Sequence, residues 1–449
     1  KTIVAQITPL GVSAVAMLRI SGTDAIPAVA MHFSSPQKML GAASHSVVFG
    51  EFLDESGDHI DEVVCIVYRA PNSYTGEDTV ELCCHGNPHL TDRILQILLL
   101  QCALARPGEF TLRAFLNGKM DLTQAEAVND LIKAQTSRAE QAALYQLKGQ
   151  LAKHLGALLK QITHLRLQIE LEIDFADQDL PGINLDSFET ELRDLILKME
   201  NIARESQQGK ILREGLKVCI AGAPNAGKSS LFNALLKQNR AIVSHIPGTT
   251  RDYLEETISL NGYPVVLYDT AGLRSTQNEI EGLGIERTHQ LLEQSDLILY
   301  LIEPGAGDMI PSDKTINILN KIDLLGFESM PDDETWSLFL KHSSRAGLIA
   351  CSTLLPEGLS RVEKAILHKI KLPQNTSAKP ILTNARQLAV LELSTIATRR
   401  ALDALLANTG YEFIAFDLIE ASSQLEQILG IITNQELLDQ IFSDFCIGK

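Results

Sequence analysis

The period of apolar positions along this chain moves from strand-like to helix-like, then to a mixed pattern, and back to helix. Up to about residue 115 the apolar residues come in short runs between turn residues: Ile3-Val4-Ala5, Ser13 to Ile20, Val63 to Tyr68 and Thr79 to Cys84. Runs of that length and spacing predict β-strands mixed with turns and helices, an α+β domain. From about Asp121 the pattern is helical. Leu144, Leu147, Leu151, Leu155, Leu158, Ile162, Leu165 and Ile169 recur at intervals of three and four, which predicts one buried stripe on one long helix. Pro181-Gly182 interrupts it, and a second helix runs through Leu195 and Ile202. Near Leu216 the apolar runs shorten into strands separated by helical segments, the mark of a mainly parallel sheet flanked by helices. After the linker-like Pro373-Gln374-Asn375-Thr376-Ser377, helices return from about Gln387 to Phe445.

This pattern divides the chain into residues 1–117, a helical domain assembled from 118–212 and 373–449, and an α/β domain, 213–372, inserted between the two helical segments. No period of 20–50 residues recurs, so a repeat array is not expected. The interval between the strand Leu297–Ile302 and Asn320 barely accommodates the helix of a parallel crossover. Either that helix is trimmed or residues are absent from the sequence, and a start at Lys1 in place of Met points the same way.

Composition narrows the class. No apolar stretch approaches the ~20 residues of a membrane span, and no charged-then-apolar leader opens the chain, so a soluble, unexported, cytoplasmic protein is expected. Seven scattered cysteines fit reduced thiols. The adjacent Cys83 and Cys84 point to opposite faces of a strand, and no second ligand pair at zinc spacing accompanies them and His85. A net charge of −17 disfavours nonspecific coating of nucleic acid; contact with RNA requires a local basic patch or a partner.

The chemistry concentrates in the α/β segment. Gly222-Ala223-Pro224-Asn225-Ala226-Gly227-Lys228-Ser229 follows the apolar run Val218–Ala221 and opens a helical pattern, the strand–loop–helix context of a phosphate-binding loop. Its backbone N–H groups cradle phosphates at a helix N-terminus, Lys228 reaches the β/γ oxygens, and the Ser229 hydroxyl, followed by Ser230, ligates Mg²⁺. Downstream, Asp269-Thr270-Ala271-Gly272 closes a strand, placing a carboxylate near the metal and a glycine N–H near the γ-phosphate. Asn320-Lys321-Ile322-Asp323 follows another strand; its aspartate accepts from the N1 and N2 donors that guanine has and adenine lacks. Gly248-Thr249-Thr250-Arg251-Asp252 lies between, where a threonine hydroxyl joins the magnesium shell only in the presence of the γ-phosphate. Ser352, in Cys351-Ser352-Thr353-Leu354, has the position of a base-backing loop, with Leu354 where Lys or Arg is usual. These elements in this order predict a Ras-like GTPase domain.

The flanks carry a resemblance. Thr2 to Gln6, Leu18 to Gly22, Ser73 to Asp78, Arg106 to Thr111, Arg113 to Lys119, Gln124 to Ala127 and the closing Cys446-Ile447-Gly448-Lys449 resemble the MnmE/TrmE family of tRNA uridine-modification GTPases, over nearly the whole chain. The resemblance implies a dimerising N-terminal domain that binds 5-formyltetrahydrofolate or a related folate, with contacts at Arg19, Glu81, Lys119 and Lys449. It also implies a complex of heterotetramer type with the flavoprotein MnmG, which installs an aminomethyl or carboxymethylaminomethyl group on C5 of the wobble uridine of certain tRNAs. A carboxylate paired with a pterin edge and cations near a glutamate tail suit that ligand; on the residues alone, Arg19, Glu81 and Lys119 are ordinary surface charges. Cys446 is either an inert tail thiol or a participant near the folate or tRNA site. Two departures concern loop shape: Pro9 to Ala14 lacks a glycine-rich run, and Asn87 stands where a second glycine is usual. Rival readings are a regulatory switch or ribosome/RNA assembly factor, and a folate-dependent transferase gated by its GTPase.

Leu273 occupies the position where Ras-like enzymes carry the water-orienting Gln, and it can neither donate to nor accept from water. The resemblance implies Glu281 in that role through a bridging water; on the residues alone Glu279 and Glu286 rank equally. It further implies a K⁺ held by Asn225, Ser244 and backbone oxygens of Ile246 and Thr249, supplying the positive charge of an arginine finger. The alternative for Asn225 is a side chain that bonds its own loop backbone.

Overall fold

The computed structural model describes residues 1–174, 183–239, 255–269, 290–305, 308–343, 347–355, 357–370 and 382–449. They form two compact units, one of residues 1–129, 146–196 and 393–449, the other of 130–145 and 197–392.

The first unit opens with β1 (Ile3–Gln6), β2 (Val15–Ser21), the short helices α1 (Ala25–Ala30) and α2 (Pro36–Leu40), β3 (Ser46–Leu53), β4 (His59–Tyr68), β5 (Thr79–His85), α3 (Pro88–Leu99), β6 (Ala103–Leu104) and α4 (Glu109–Leu116). The strands make one sheet in the order β3-β4-β5-β2-β1-β6, antiparallel except for the β1/β6 pair. Leu18, Ile20, Val63, Cys65, Val67, Val80, Leu82 and Cys84 point inward by strand alternation and meet Ile94 and Leu98 of α3. Asn87 explains its departure from glycine: its side chain accepts from His89 N and Leu90 N and caps α3. The strand β3 was not among those expected; its less exposed positions include Ser46 and Gly50, and a Cβ on Gly50 would lie 2.5 Å from the Phe33 ring.

Next come α5 (Leu122–Lys133), α6 (Ser137–Leu147), α7 (Gln150–Asp174) and α8 (Leu185–Glu214). The single long helix expected from Leu144 to Ile169 is therefore two helices. The chain turns at Gly149, whose φ of +72° suits glycine. Six apolar residues of α7, from Leu151 to Ile169, are buried, while Leu144 and Leu147 are half-buried.

The second unit contains β7 (Leu216–Gly222), α9 (Lys228–Asn239), β8 (Glu255–Leu260), β9 (Tyr263–Asp269), β10 (Leu297–Ile302), β11 (Thr315–Leu319), α10 (Asp333–Ser343), β12 (Ile349–Ala350) and α11 (Gly358–Lys369). Its sheet runs β12-β11-β10-β7-β9-β8, parallel apart from the β8/β9 hairpin. The order reverses at β7, the central strand, so a crevice opens beyond its carboxyl end. Among the described residues between β10 and β11 there is no helix, in line with the short interval in the sequence. Asp130 is a buried carboxylate that accepts from Arg213 Nε just ahead of β7 and from Thr383 Oγ1, both at 2.9 Å. Burial pushes its pKa up, against the pull of Arg213 and Thr383. Tyr263 is buried with Ala139 and Leu212, and the Arg138 guanidinium lies 4.7 Å from its ring centre.

Helices α12 (Ala385–Leu406), α13 (Tyr411–Leu429) and α14 (Gln435–Ser443) complete the chain. In the first unit α13 lies along α7 and buries Leu418, Ala421, Leu425 and Ile428. It ends at Gly430, where φ is +79° and a Cβ would fall 2.7 Å from Leu122 Cβ and 2.8 Å from the Phe115 ring. Gly118 shares the left-handed conformation, φ +67°, with open space around it. Gly430→Ala is expected to destabilise the protein by roughly 2–4 kcal/mol, the sum of conformational strain and overpacking, and Gly118→Ala by about 1–2 kcal/mol. Equal shifts of the two variants in denaturant unfolding would remove the packing argument.

Candidate functional site

Four chain segments leave the carboxyl ends of the parallel strands and converge. The loop after β7 begins at Gly222, where a Cβ would collide with the Leu301 carbonyl, and contains Asn225 at φ +65°. Lys228 Nζ donates to the Gly222 and Ala223 carbonyls at 3.0 and 2.7 Å, so the ammonium lies within the loop. Ser229 and Ser230 open α9, and Ser229 Oγ donates to Asp269 Oδ2 at 3.1 Å from the end of β9. Two hard oxygen donors thus meet beside the amino end of a helix, a setting that suits Mg²⁺ and phosphate.

The base side is equally tied. Asn320 Nδ2 donates to the Ala226 carbonyl at 2.8 Å, and a Cβ on Gly227 would collide with that amide nitrogen. One amide hydrogen is used in that bond and the second remains for an acceptor such as a purine nitrogen; Oδ1 is buried and has no hydrogen-bond partner among the described residues. Asp323 accepts from Ser352 Oγ at 2.6 Å, which fixes the carboxylate's orientation. Lys321 takes a left-handed backbone, φ +58°, and its ammonium pairs with Glu303 at 2.8 Å, a partner that sequence reading did not single out. Ser244, Ile246, Thr249, Thr250, Thr270, Ala271, Gly272, Leu273 and Glu281 lie outside the described residues.

In the first unit the Arg19–Glu81 pair is set by register. The two residues are direct antiparallel partners across β2 and β5, and Arg19 Nη2 lies 2.8 Å and Nε 2.9 Å from Glu81 Oε1. The guanidinium is 5.1 Å from the Tyr74 ring centre and 5.5 Å from that of Phe110, and Tyr68 OH donates to Glu81 Oε2 at 3.4 Å. These three aromatic residues were invisible to motif reading: Tyr68 comes from β4 beside β5, Tyr74 from the connection between β4 and β5, and Phe110 from α4, so the three meet at this pair only through the tertiary fold. The closing tail comes to the same place. Gly108 N and Phe110 N, at the amino end of α4, donate to the Cys446 and Lys449 carbonyls at 3.4 and 3.1 Å, groups a helix start otherwise leaves unsatisfied. Burial, and secondarily the charge of Arg19, pushes the Lys449 ammonium below the ordinary lysine range, against the opposing pull of Cys446 and Glu81. Lys119 is engaged otherwise, its Nζ donating to the Pro71 carbonyl at 2.9 Å.

Cys83 is half-buried and Cys84 buried, and burial pushes the Cys84 thiol up to about 11. His85 Nδ1 is bonded to Asp61 Oδ1 at 2.8 Å. Among the described residues no group of three or more His, Cys, Asp or Glu is placed to hold a metal ion. All seven cysteines are free, and no described helix is long and apolar enough to cross a membrane.

The family model for the TrmE N-terminus, described as that of a GTP-binding protein, matches residues 2–119, and the model for the MnmE helical domain matches 122–446. This chain belongs to the MnmE family. The tRNA modification GTPase MnmE of Aquifex aeolicus is 39% identical over 100% of this chain and 99% of its own length, and that of Moorella thermoacetica 40% identical over the same shares. The G domain of the T. maritima FeoB iron transporter, 25% identical, aligns over 34% of this chain and 98% of its own length with a TM-score of 0.23.

The tail's place beside Arg19 makes a measurable claim on this MnmE-family chain. With reductively ¹³C-methylated lysines and Lys449→Arg to assign the signal, Lys449 is expected to titrate below the other lysines. Arg19→Leu removes a positive neighbour, which makes protonation easier, so the midpoint moves up. An unchanged midpoint would separate the tail from the Arg19–Glu81 pair.

Proposed function

We propose that this chain hydrolyses GTP to drive modification of C5 of the wobble uridine in certain tRNAs, adding an aminomethyl or carboxymethylaminomethyl group together with the flavoprotein MnmG. The observation that carries this reading is the convergence of Lys228, Ser229–Asp269, Asn320 and Asp323–Ser352 at the carboxyl edge of one parallel sheet, in a chain matched end to end by tRNA modification GTPases. The domains are read as 1–117, 118–212 with 373–449, and an inserted 213–372. The N-terminal domain makes a cytoplasmic homodimer and holds 5-formyltetrahydrofolate or a related folate at Arg19, Glu81, Lys119 and Lys449, with Cys446 nearby.

Asp323 accepts from the guanine N1 and N2 donors, held in orientation by Ser352, and Asn320 presents its second amide hydrogen to the purine. Lys228 exchanges its loop carbonyls for the β/γ-phosphate oxygens, and the loop and α9 N–H groups hold the remaining oxygens. Ser229, with Asp269 and Thr250, is the Mg²⁺ holder, and Asn225, Ser244, Ile246 and Thr249 the K⁺ holders. Bound cations supply the charge neutralisation that an arginine finger provides elsewhere. Glu281 orients the attacking water through a second water. Folate binding falls to the Arg19–Glu81 pair, whose carboxylate faces pterin-type donors and whose cationic neighbours suit a glutamate tail.

Asp323→Asn is expected to weaken GTP binding by about 10- to 100-fold, the loss of hydrogen bonds to a charged acceptor worth roughly 1.5–3 kcal/mol, and to strengthen xanthosine triphosphate binding. In a strain lacking the gene, the parent chain restores the modified wobble uridine seen by mass spectrometry of tRNA nucleosides and Asp323→Asn does not; failure of the parent to restore it would refute the reading. Hydrolysis is expected to run faster in KCl than in NaCl at equal ionic strength, and Asn225→Ala to abolish that preference while nucleotide binding persists. Equal rates in the two salts for the parent chain would remove the K⁺ role.

A further inference from the structure

We propose that the solvent face of α7 carrying Lys153, Lys160 and His164 is a docking surface for the phosphate backbone of tRNA; this rests on the reading above that tRNA is the substrate. The chain has 56 acidic residues in 449 and a net charge of −17, yet from Gln141 to Ile169 it contains no Asp or Glu. That stretch carries Lys148, Lys153, Lys160 and Arg166 with His154 and His164. An acidic chain that binds a polyanion needs such a local exception, because repulsion elsewhere restricts where the ligand can land.

The helix turns the exception into a surface. Leu151, Leu155, Leu158, Ile162, Leu165 and Ile169 face the core, and Lys153, Ala157, Lys160 and His164, spaced by four, three and four, line the opposite side and are exposed. Seven residues separate the two lysines, about 10 Å along the axis and roughly three nucleotide steps of a duplex. Between them stand only the small Ala157 and, beside it, Gly156, around which a Cβ would meet nothing within 4 Å. A backbone ribbon therefore reaches the helix without displacing a side chain.

Several arginines of this fold are paired with carboxylates. Arg166 pairs with Glu170 at 3.3 Å, Arg193 with Glu189 at 2.7 Å, and Arg400 with both Asp417 and Glu420. Among the described residues neither Lys153 nor Lys160 has a carboxylate partner. Their charge is directed to solvent, and the exposed apolar residues Leu167 and Leu171 come only further along the helix.

The test uses the full chain and an unmodified tRNA transcript with a wobble uridine, with binding measured across a salt series. Lys153→Ala/Lys160→Ala is expected to weaken binding about tenfold or more at low salt and to reduce the slope of log affinity against log salt by about 2, equally for a tRNA lacking the wobble uridine. Lys153→Arg/Lys160→Arg keeps binding, and GTP hydrolysis without tRNA and the melting temperature stay at parental values in both variants. Parental affinity and slope in the alanine variant would overturn this surface while leaving the tRNA reading intact. A parent that binds no tRNA would overturn both. Binding of the parent to phosphatidylserine vesicles in place of tRNA would assign the face to a membrane and overturn the proposal.

Discussion

The phosphate loop and the side chain of Asn320 approach so closely that only a residue without a Cβ fits between them. Gly227 provides that approach, and the bond from Asn320 Nδ2 to the Ala226 carbonyl fixes it. Because Asn320 leaves the end of β11 and the loop leaves β7, with β10 between them, the distance from phosphate to base is set by the spacing of parallel strands. Everything else at this edge is arranged around that fixed length. Asp269 reaches Ser229 from the neighbouring β9, and Ser352 reaches Asp323 from beyond β12.

The first unit uses a different principle, in which backbone and side chains of distant segments complete each other. The amino end of α4 has no side-chain cap, and Gly108 takes a left-handed conformation there. The tail supplies the missing acceptors and in doing so carries Lys449 toward the Arg19–Glu81 pair. A nearby network has the same logic: Arg113 bonds Glu77 and Glu109, and Ser21 donates to Glu77. Arg19, Glu81 and Lys449 are separated by tens to hundreds of positions, and two of them are cations near each other, a placement that an anionic ligand segment would relieve.

The phosphate loop and the strand-end acidic motifs were legible because each is a short local sequence whose chemistry depends on its own spacing. Strands β1, β2, β4 and β5 were legible from alternation between turns. What escaped was set by contacts across the chain. The break at Gly149 is hidden because the interval of three and four continues through it, so periodicity alone registers one helix. The pairing of Arg19 with Glu81 follows from a register between strands joined by a long connection, and Tyr74 and Phe110 reach it from a connection and from α4. Asn87 looked like an altered loop and is a helix cap: its backbone is extended, which needs no glycine, and its side-chain oxygen accepts from the first helical N–H groups, which a glycine cannot do.

The buried carboxylate of Asp130 has a consequence beyond stability. Arg213 stands just before the chain enters its parallel sheet, Thr383 follows the chain's return from it, and both hold the same side chain, with Leu382 N also bonded to Ser206 Oγ at 3.3 Å. The 169 positions between Arg213 and Thr383 therefore begin and end at one point in space. A segment of that kind closes on itself: its two ends are held near each other by the one carboxylate. In topological terms, the whole parallel sheet is strung on a chain segment whose entry and exit are fastened to one side chain.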